Sequence, residues 1–207
     1  MKTGKYRLLF TLIFFALFNV CFNRKAIKVR SQNLNITKHA KAKIMNAENK
    51  INLPISSGNK PRTTPSNPHI QLDQQPENRK IISDLMVWAF SLPEIKKESS
   101  KISMPGAEAM CLSKDKMCNK CSAFMIENEF AHFHPVPDGS MHLGLPLKDA
   151  QYVINQGWGE LHPVAKMGYL TQNFIMVYAP RNEDEVEIVK KIITRSYTFA
   201  KGELIDE

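Results

Sequence analysis

The sequence predicts an α+β fold: a single small domain with one mostly antiparallel sheet and helices on one of its faces. Three observations lead there. Helical and strand-like patterns succeed one another as helix, strands, helix, strand, helix, without the strict alternation that marks a parallel sheet. Residues 129–145 alternate apolar and polar side chains about a Pro-Asp-Gly turn, the pattern of a hairpin with two distinct faces. Amphipathic stretches at helical spacing stand before and after the strands, near Ile81 and near Val186.

In this reading the first 76 residues lie outside the domain. Residues 1–22 hold an apolar run, Leu8–Phe22, preceded by Lys2, Lys5 and Arg7. The run is shorter than the roughly 20 apolar residues of a spanning helix and reads as a signal peptide or a signal-anchor. Val20-Cys21-Phe22 lacks the small residues that signal peptidase prefers, and Arg24, Lys25, Lys28 and Arg30 follow at once, as in an anchor. Either way the chain is expected in the secretory pathway, secreted or held by a single pass, with the membrane as a partner where the segment is retained. Asn35-Ile36-Thr37 is an acceptor sequon that would make the protein a glycoprotein on that route. Residues 23–76 are basic, rich in Pro, Ser and Asn, and poor in large apolar side chains. They read as a linker whose last part, residues 61–73, runs extended along the domain.

The chain carries 28 Lys and Arg against 20 Asp and Glu, but the excess is local. Residues 1–62 hold thirteen basic residues and the single acid Glu48, whereas residues 63–207 hold fifteen against nineteen. No basic surface interleaved with aromatics is visible in the domain, which argues against nucleic acid as a partner.

The domain, residues 77–203, opens with Ile81, Ile82, Leu85, Met86 and Ala89 at helical spacing, and this helix stops before Pro93. Strand-like runs follow at 107–112, 123–128, 129–134 and 140–145. Pro146 opens a helix through Gln156, with Gly157 as its stop. Residues 174–179 read as a buried strand. Asn182 and Glu185 have the spacing of a helix cap, and Val186, Val189, Ile193 and Tyr197 carry that last helix to about Lys201. Cys111, Cys118 and Cys121 allow one disulfide with an odd thiol, or free thiols; Cys118-Asn-Lys-Cys121 lacks the second pair that structural zinc needs.

Chemistry concentrates in residues 129–163, which hold four of the six histidines. Pro137-Asp138-Gly139 predicts a three-residue loop that pairs His134 with His142 and His132 with Gly144. Alternation then puts Ala131, Phe133, Met141, Leu143 and Leu145 on one face, and Phe130, His132, His134, His142 and Gly144 on the other. Glu160 and His162, two apart after Gly157-Trp158-Gly159, converge on the histidine face if their segment runs beside the hairpin. His132, His134, His142 and His162 are candidate metal ligands, a set that suits zinc, iron or copper with an open position for a small molecule. His134, His142 and Glu160 are candidate catalytic groups, and Trp158 is a candidate for lining a cofactor or ligand pocket. The simpler reading of such histidines is that they are hydrogen-bonded residues of a half-exposed sheet face. No phosphate-cradling loop, Rossmann fingerprint or catalytic-triad motif accompanies them.

The same residues carry a family resemblance. Glu129-Phe-Ala-His-Phe-His-Pro, Asp138-Gly-Ser-Met-His-Leu, Gly157-Trp-Gly-Glu-Leu-His-Pro and Val177-Tyr-Ala-Pro-Arg-Asn-Glu look like the luciferase-domain family. Arg195-Ser-Tyr and the upstream Thr-Thr-Pro-Ser-Asn-Pro-His-Ile-Gln-Leu-Asp-Gln segment are also similar to it, so that the resemblance covers roughly residues 62–202. The layout further resembles small YjbR-like α+β domains, an analogy of fold alone. The HxH spacing is similar to that of cupins, but the expected downstream Glu and Gly spacing is missing. The family resemblance implies a pocket for a small molecule and, if the protein is an enzyme, oxygen-dependent oxidation of an organic substrate. The alternative is a non-enzymatic binding module near a membrane that uses the same face.

Overall fold

The computed structural model describes residues 50–119 and 122–204. The apolar leader, the sequon, most of the basic arm and Cys121 lie outside the described residues. In chain order the elements are helix α1 (Lys80–Phe90), strands β1 (Ile95–Ser99), β2 (Glu108–Leu112), β3 (Glu129–Phe133) and β4 (Met141–Gly144), and helix α2 (Leu147–Asn155). Strand β5 (Gly159–Leu161), the short helix α3 (Pro163–Lys166), strand β6 (Phe174–Val177) and helix α4 (Glu183–Ala200) complete them. All six strands pair antiparallel, in the order β1-β2-β3-β4-β6-β5, so the fold class is α+β as expected.

The helices form where the apolar period puts them. Helix α1 buries Ile81, Ile82, Leu85 and Ala89, and α4 buries Val186, Val189, Ile192, Ile193 and Phe199. Asn182 caps α4 by accepting from the Glu185 amide at 3.0 Å, and three acids in the first turn suit the positive end of its dipole. All of these side chains but Ile82 join Ala150 and Val153 of α2 in one core against Ala131, Phe133, Met141, Leu143, Ile175 and Val177 of the sheet. Each fully buried side chain of this size stabilises the fold by about 1.5–3 kcal/mol, so this face holds the domain together.

Three expectations are corrected. The run at 123–128 forms no strand; it turns back instead, and the Met125 amide donates to the Glu129 carbonyl at 2.9 Å. The hairpin register is slipped by two residues and its loop is two residues longer than expected: His132 faces His142, Phe133 faces Met141, and the His134 amide donates to the Ser140 carbonyl. Asp138 organises the wider loop, its amide donating to the Pro135 carbonyl and its Oδ1 accepting from the Ser140 amide. Gly139 follows at φ +67, a left-handed conformation that glycine adopts without strain. A slip of two preserves the sorting of faces, because the side-chain period is two. Phe130, however, is on the apolar side. Met110 pairs with Ala131 but Cys111 pairs with Glu129, so Phe130 is the extra residue of a bulge. Its ring lies 6.5 Å from that of Tyr197 on α4, and Glu129 turns to the histidine face in its place.

Residues from Ile51 onward belong to the same compact unit as the helices and strands. Leu53 is in the core, the Trp158 indole N–H donates to the Pro54 carbonyl at 2.7 Å, and the Ser56 amide donates to the Gln156 carbonyl at 2.8 Å. Further along, Thr63 bridges to Gln71, and His69 and Gln71 are buried. This strap attaches chiefly through backbone hydrogen bonds and buried polar side chains, which an apolar composition count cannot register. Among the described residues, Cys111 and Cys118 are unpaired, and no helix is long and apolar enough to cross a membrane.

Candidate functional site

The face of the sheet away from α1, α2 and α4 carries the histidines. The register places His132, His142, Met176 and Glu160 side by side in one row across β3, β4, β6 and β5. His134 stands two residues beyond His132 on the same face. The strap and the loops around Met104, Met125 and Leu170 cover this row, so that His132, His134 and His142 are each at most 4% exposed. Beneath that cover lies a cavity of about 470 Å3, within the size range of small-molecule sites. Its wall joins five histidines, His69, His132, His134, His142 and His162, to an apolar side of Ile102, Met104, Met125, Val164, Leu170 and Phe174.

Each of three histidines is backed by an acid. His132 Nδ1 bonds Glu129 Oε1 at 2.8 Å, His134 Nδ1 bonds Asp138 Oδ2 at 2.7 Å, and His69 Nε2 bonds Glu160 Oε1 at 2.8 Å. Between them sits His142, with Nδ1 3.1 Å from His132 Nε2 and Nε2 3.1 Å from His69 Nδ1. Burial pushes the Glu129 carboxyl up, but the bonds from His132 and Ser100 outweigh it and hold the group below its ordinary value. Glu160 follows the same logic: burial raises it, while His69, Lys60 and Thr63 bring it down to about 2. Burial holds His132 low against the pull of Glu129. It holds His142 well below the usual imidazole range, and the surrounding histidines act in the same direction. His162 is lowered to about 4, first by burial and then by His69, His132, His134 and Lys166 around it.

These bonds fix where the protons are. A carboxylate only accepts, so His132 and His134 carry hydrogen on Nδ1 and His69 carries it on Nε2. The inward-facing nitrogens of all three are then lone pairs. A neutral His142 brings one proton and can satisfy one neighbour. When its Nε2–H donates to His69, two lone pairs face each other at 3.1 Å, those of His132 Nε2 and His142 Nδ1. His132, His134 and His142 offer three ligand atoms within 4.8 Å of one another, and a cation among them resolves the mismatch. This is a carboxylate–histidine arrangement suited to a metal, each imidazole held in tautomer by its outer partner.

The other expected residues divide. Glu160 backs His69 and is paired with Lys60 of the strap, one step behind the cluster rather than in it. His162 lines the cavity, but its Nδ1 accepts from the Val164 amide at 3.1 Å. Trp158 is packed in the core and is not among the cavity's lining residues, contrary to the pocket role expected for it. Its ring is drawn inward by the Pro54 carbonyl. His69, Glu129 and the backing role of Asp138 escaped the sequence reading. His69 lies in a segment read as linker, and Glu129 reaches its partner only through the bulge. The one available signal was the Asn-Pro-His-Ile-Gln-Leu-Asp stretch, which carried part of the family resemblance but no assigned role.

Comparison with known proteins adds a family match over part of the chain. Residues 127–196 match the model of the Luciferase domain. The chain is 37% identical over 75 residues to the luciferases of Armillaria gallica and Armillaria mellea, a stretch that is 35% of this chain and 28% of each relative. It is 38% identical over the same length to the luciferase of Neonothopanus nambi. The chain thus spans little more than a quarter of the length of the curated relatives that it matches. No solved structure matches it.

Proposed function

We propose that the chain, whose residues 127–196 match the Luciferase domain model, carries out oxygen-dependent oxidation of a small, largely apolar organic molecule in the histidine cavity. The observation that carries this reading is the proton count: three inward imidazole lone pairs, two of them backed by carboxylates, converge on a buried point beside an apolar wall. A transition metal held by His132, His134 and His142 fits that donor set, iron or copper more readily than zinc because the reaction is redox. Such an ion, when bound, supplies a coordination position and an electron path for dioxygen.

The chain's own residues do the rest. Glu129 and Asp138 keep His132 and His134 in the tautomer that presents Nε2 inward. His69 Nδ1 accepts the hydrogen bond from His142 Nε2–H and its own Nε2–H donates to the Glu160 carboxylate, whose charge Lys60 balances. The apolar wall excludes water from the reacting face and seats the substrate. We further place the protein in the secretory pathway, on the strength of the apolar leader followed by a basic arm. The fungal relatives are named luciferases; the proposal for this chain is confined to the oxidation.

Metal analysis of the full chain expressed in metal-replete cells tests the reading. The expected result is close to one iron or copper per chain, lost in a His132→Ala/His134→Ala double variant that keeps its fold. A chain free of metal and as stable as the double variant would overturn it and favour a module that binds a ligand without turning it over.

A further inference from the structure

His162 stands in the cavity wall, its ring edge-on to His142 with centroids 4.7 Å apart and to His69 at 5.2 Å. Its ligand atom lies within 4.8 Å of those of His69 and His142, so this trio looks like a second metal nest. Hydrogen placement argues otherwise. The Val164 amide donates to His162 Nδ1 at 3.1 Å at the start of α3, so Nδ1 keeps its lone pair and the neutral ring carries hydrogen on Nε2. A protonated nitrogen has no lone pair for a metal. The other two members are spent as well, because His142 Nε2 and His69 Nδ1 are 3.1 Å apart in a bond of their own. His162 Nε2 bonds to no described residue.

We propose that His162 is a fixed hydrogen-bond donor instead of a metal ligand, its Nε2–H offered to an oxygen or anionic atom of the molecule that enters the cavity beside the His132–His134–His142 centre. The backbone cap sets the ring's orientation, so the donor is in place before a ligand arrives and no side-chain freedom is lost when it binds. This deepens the reading above and rests on it for the neighbouring centre, though not for the tautomer.

Two measurements test it. Long-range proton–nitrogen correlation on the full chain labelled with nitrogen-15 histidine reads the tautomer directly; Nε2–H is expected, and an Nδ1–H signal for His162 overturns the proposal. Copper or cobalt loading, followed by titration with azide as the probe anion, reads the donor. His162→Ala is expected to keep the wild-type metal stoichiometry and to bind azide about 5- to 10-fold more weakly, with His162→Gln, which retains an N–H donor, recovering part of the loss. Loss of metal in His162→Ala matching that in His134→Ala, or an unchanged azide affinity, contradicts it. A chain that takes up no metal sinks the proposed centre alone, and the tautomer then decides the role of His162 by itself.

Discussion

Asp138→Asn and Glu129→Gln probe the site without touching a candidate ligand. Each keeps the side-chain shape but removes the carboxylate that fixes a histidine tautomer. Outer partners of this kind are worth about 10- to 100-fold in metal affinity, and each variant should lose that much in a chelator competition. His69→Ala should weaken binding in the same direction, because His142 then lacks an acceptor for its outer proton. Affinity unchanged in all three would mean that the acids serve only the turn and the bulge. At this scale the sequence was informative up to a point. Period-two alternation sorted His132, His134 and His142 onto one face, since that needs only local geometry. It misplaced Phe130 and missed Glu129, because a one-residue bulge exchanges the faces of everything before it.

The helices α1 and α4 were legible because their apolar faces repeat over several turns, as Ile81, Leu85 and Ala89 do on α1, and α2 because Pro146 and Gly157 mark its ends. Strands β1 and β5 were not. Lys96, Lys97 and Glu98 lie on an exposed edge strand where no apolar pattern is required, and β5 has only three residues. Strand β5 nonetheless delivers Glu160, and it does so through close backbone packing: a Cβ on Gly159 would lie 2.2 Å from the Met176 carbonyl oxygen. Gly159→Ala must therefore push β5 from β6, and we expect a loss of about 2 kcal/mol or more by urea unfolding. The strap makes a second prediction at this scale. Gln71 donates its amide N–H to Asp138 Oδ1 and its side-chain N–H to the Asp73 carbonyl, and its Oε1 accepts from the Ala179 amide. Gln71→Ala leaves the buried Ala179 amide without its partner and should cost about 1–3 kcal/mol. A loss below 0.5 kcal/mol, the level of an ordinary surface change, would show the strap to be loosely attached.

Across the whole molecule, one face of the sheet stabilises the fold and the other holds charged and titratable groups, so acid should act through the second face. In metal-free protein His162 has its affinity for protons lowered from 6.5 to about 4, and Glu160 from 4.5 to about 2. In both cases the unfolded chain binds more protons, so stability is full at neutral pH and falls on acidification, first between about 6.5 and 4 and then between about 4.5 and 2. Thermal midpoints measured with chelator present should drop over the first window, and His162→Gln should flatten that drop; a midpoint that rises on acidification would contradict the assignment. The attachment of residues 51–76 was the least legible property at this scale, because it runs through backbone bonds and through His69 and Gln71, whose burial depends on partners over 60 residues away. The central claim is that His132, His134 and His142 form one metal centre. Anomalous diffraction from crystals of the metal-replete protein tests it most directly. The account predicts a single peak about 2.0–2.2 Å from one nitrogen of each of the three rings. A peak on the His69–His162 side, or none in a crystal soaked with the metal, would contradict it.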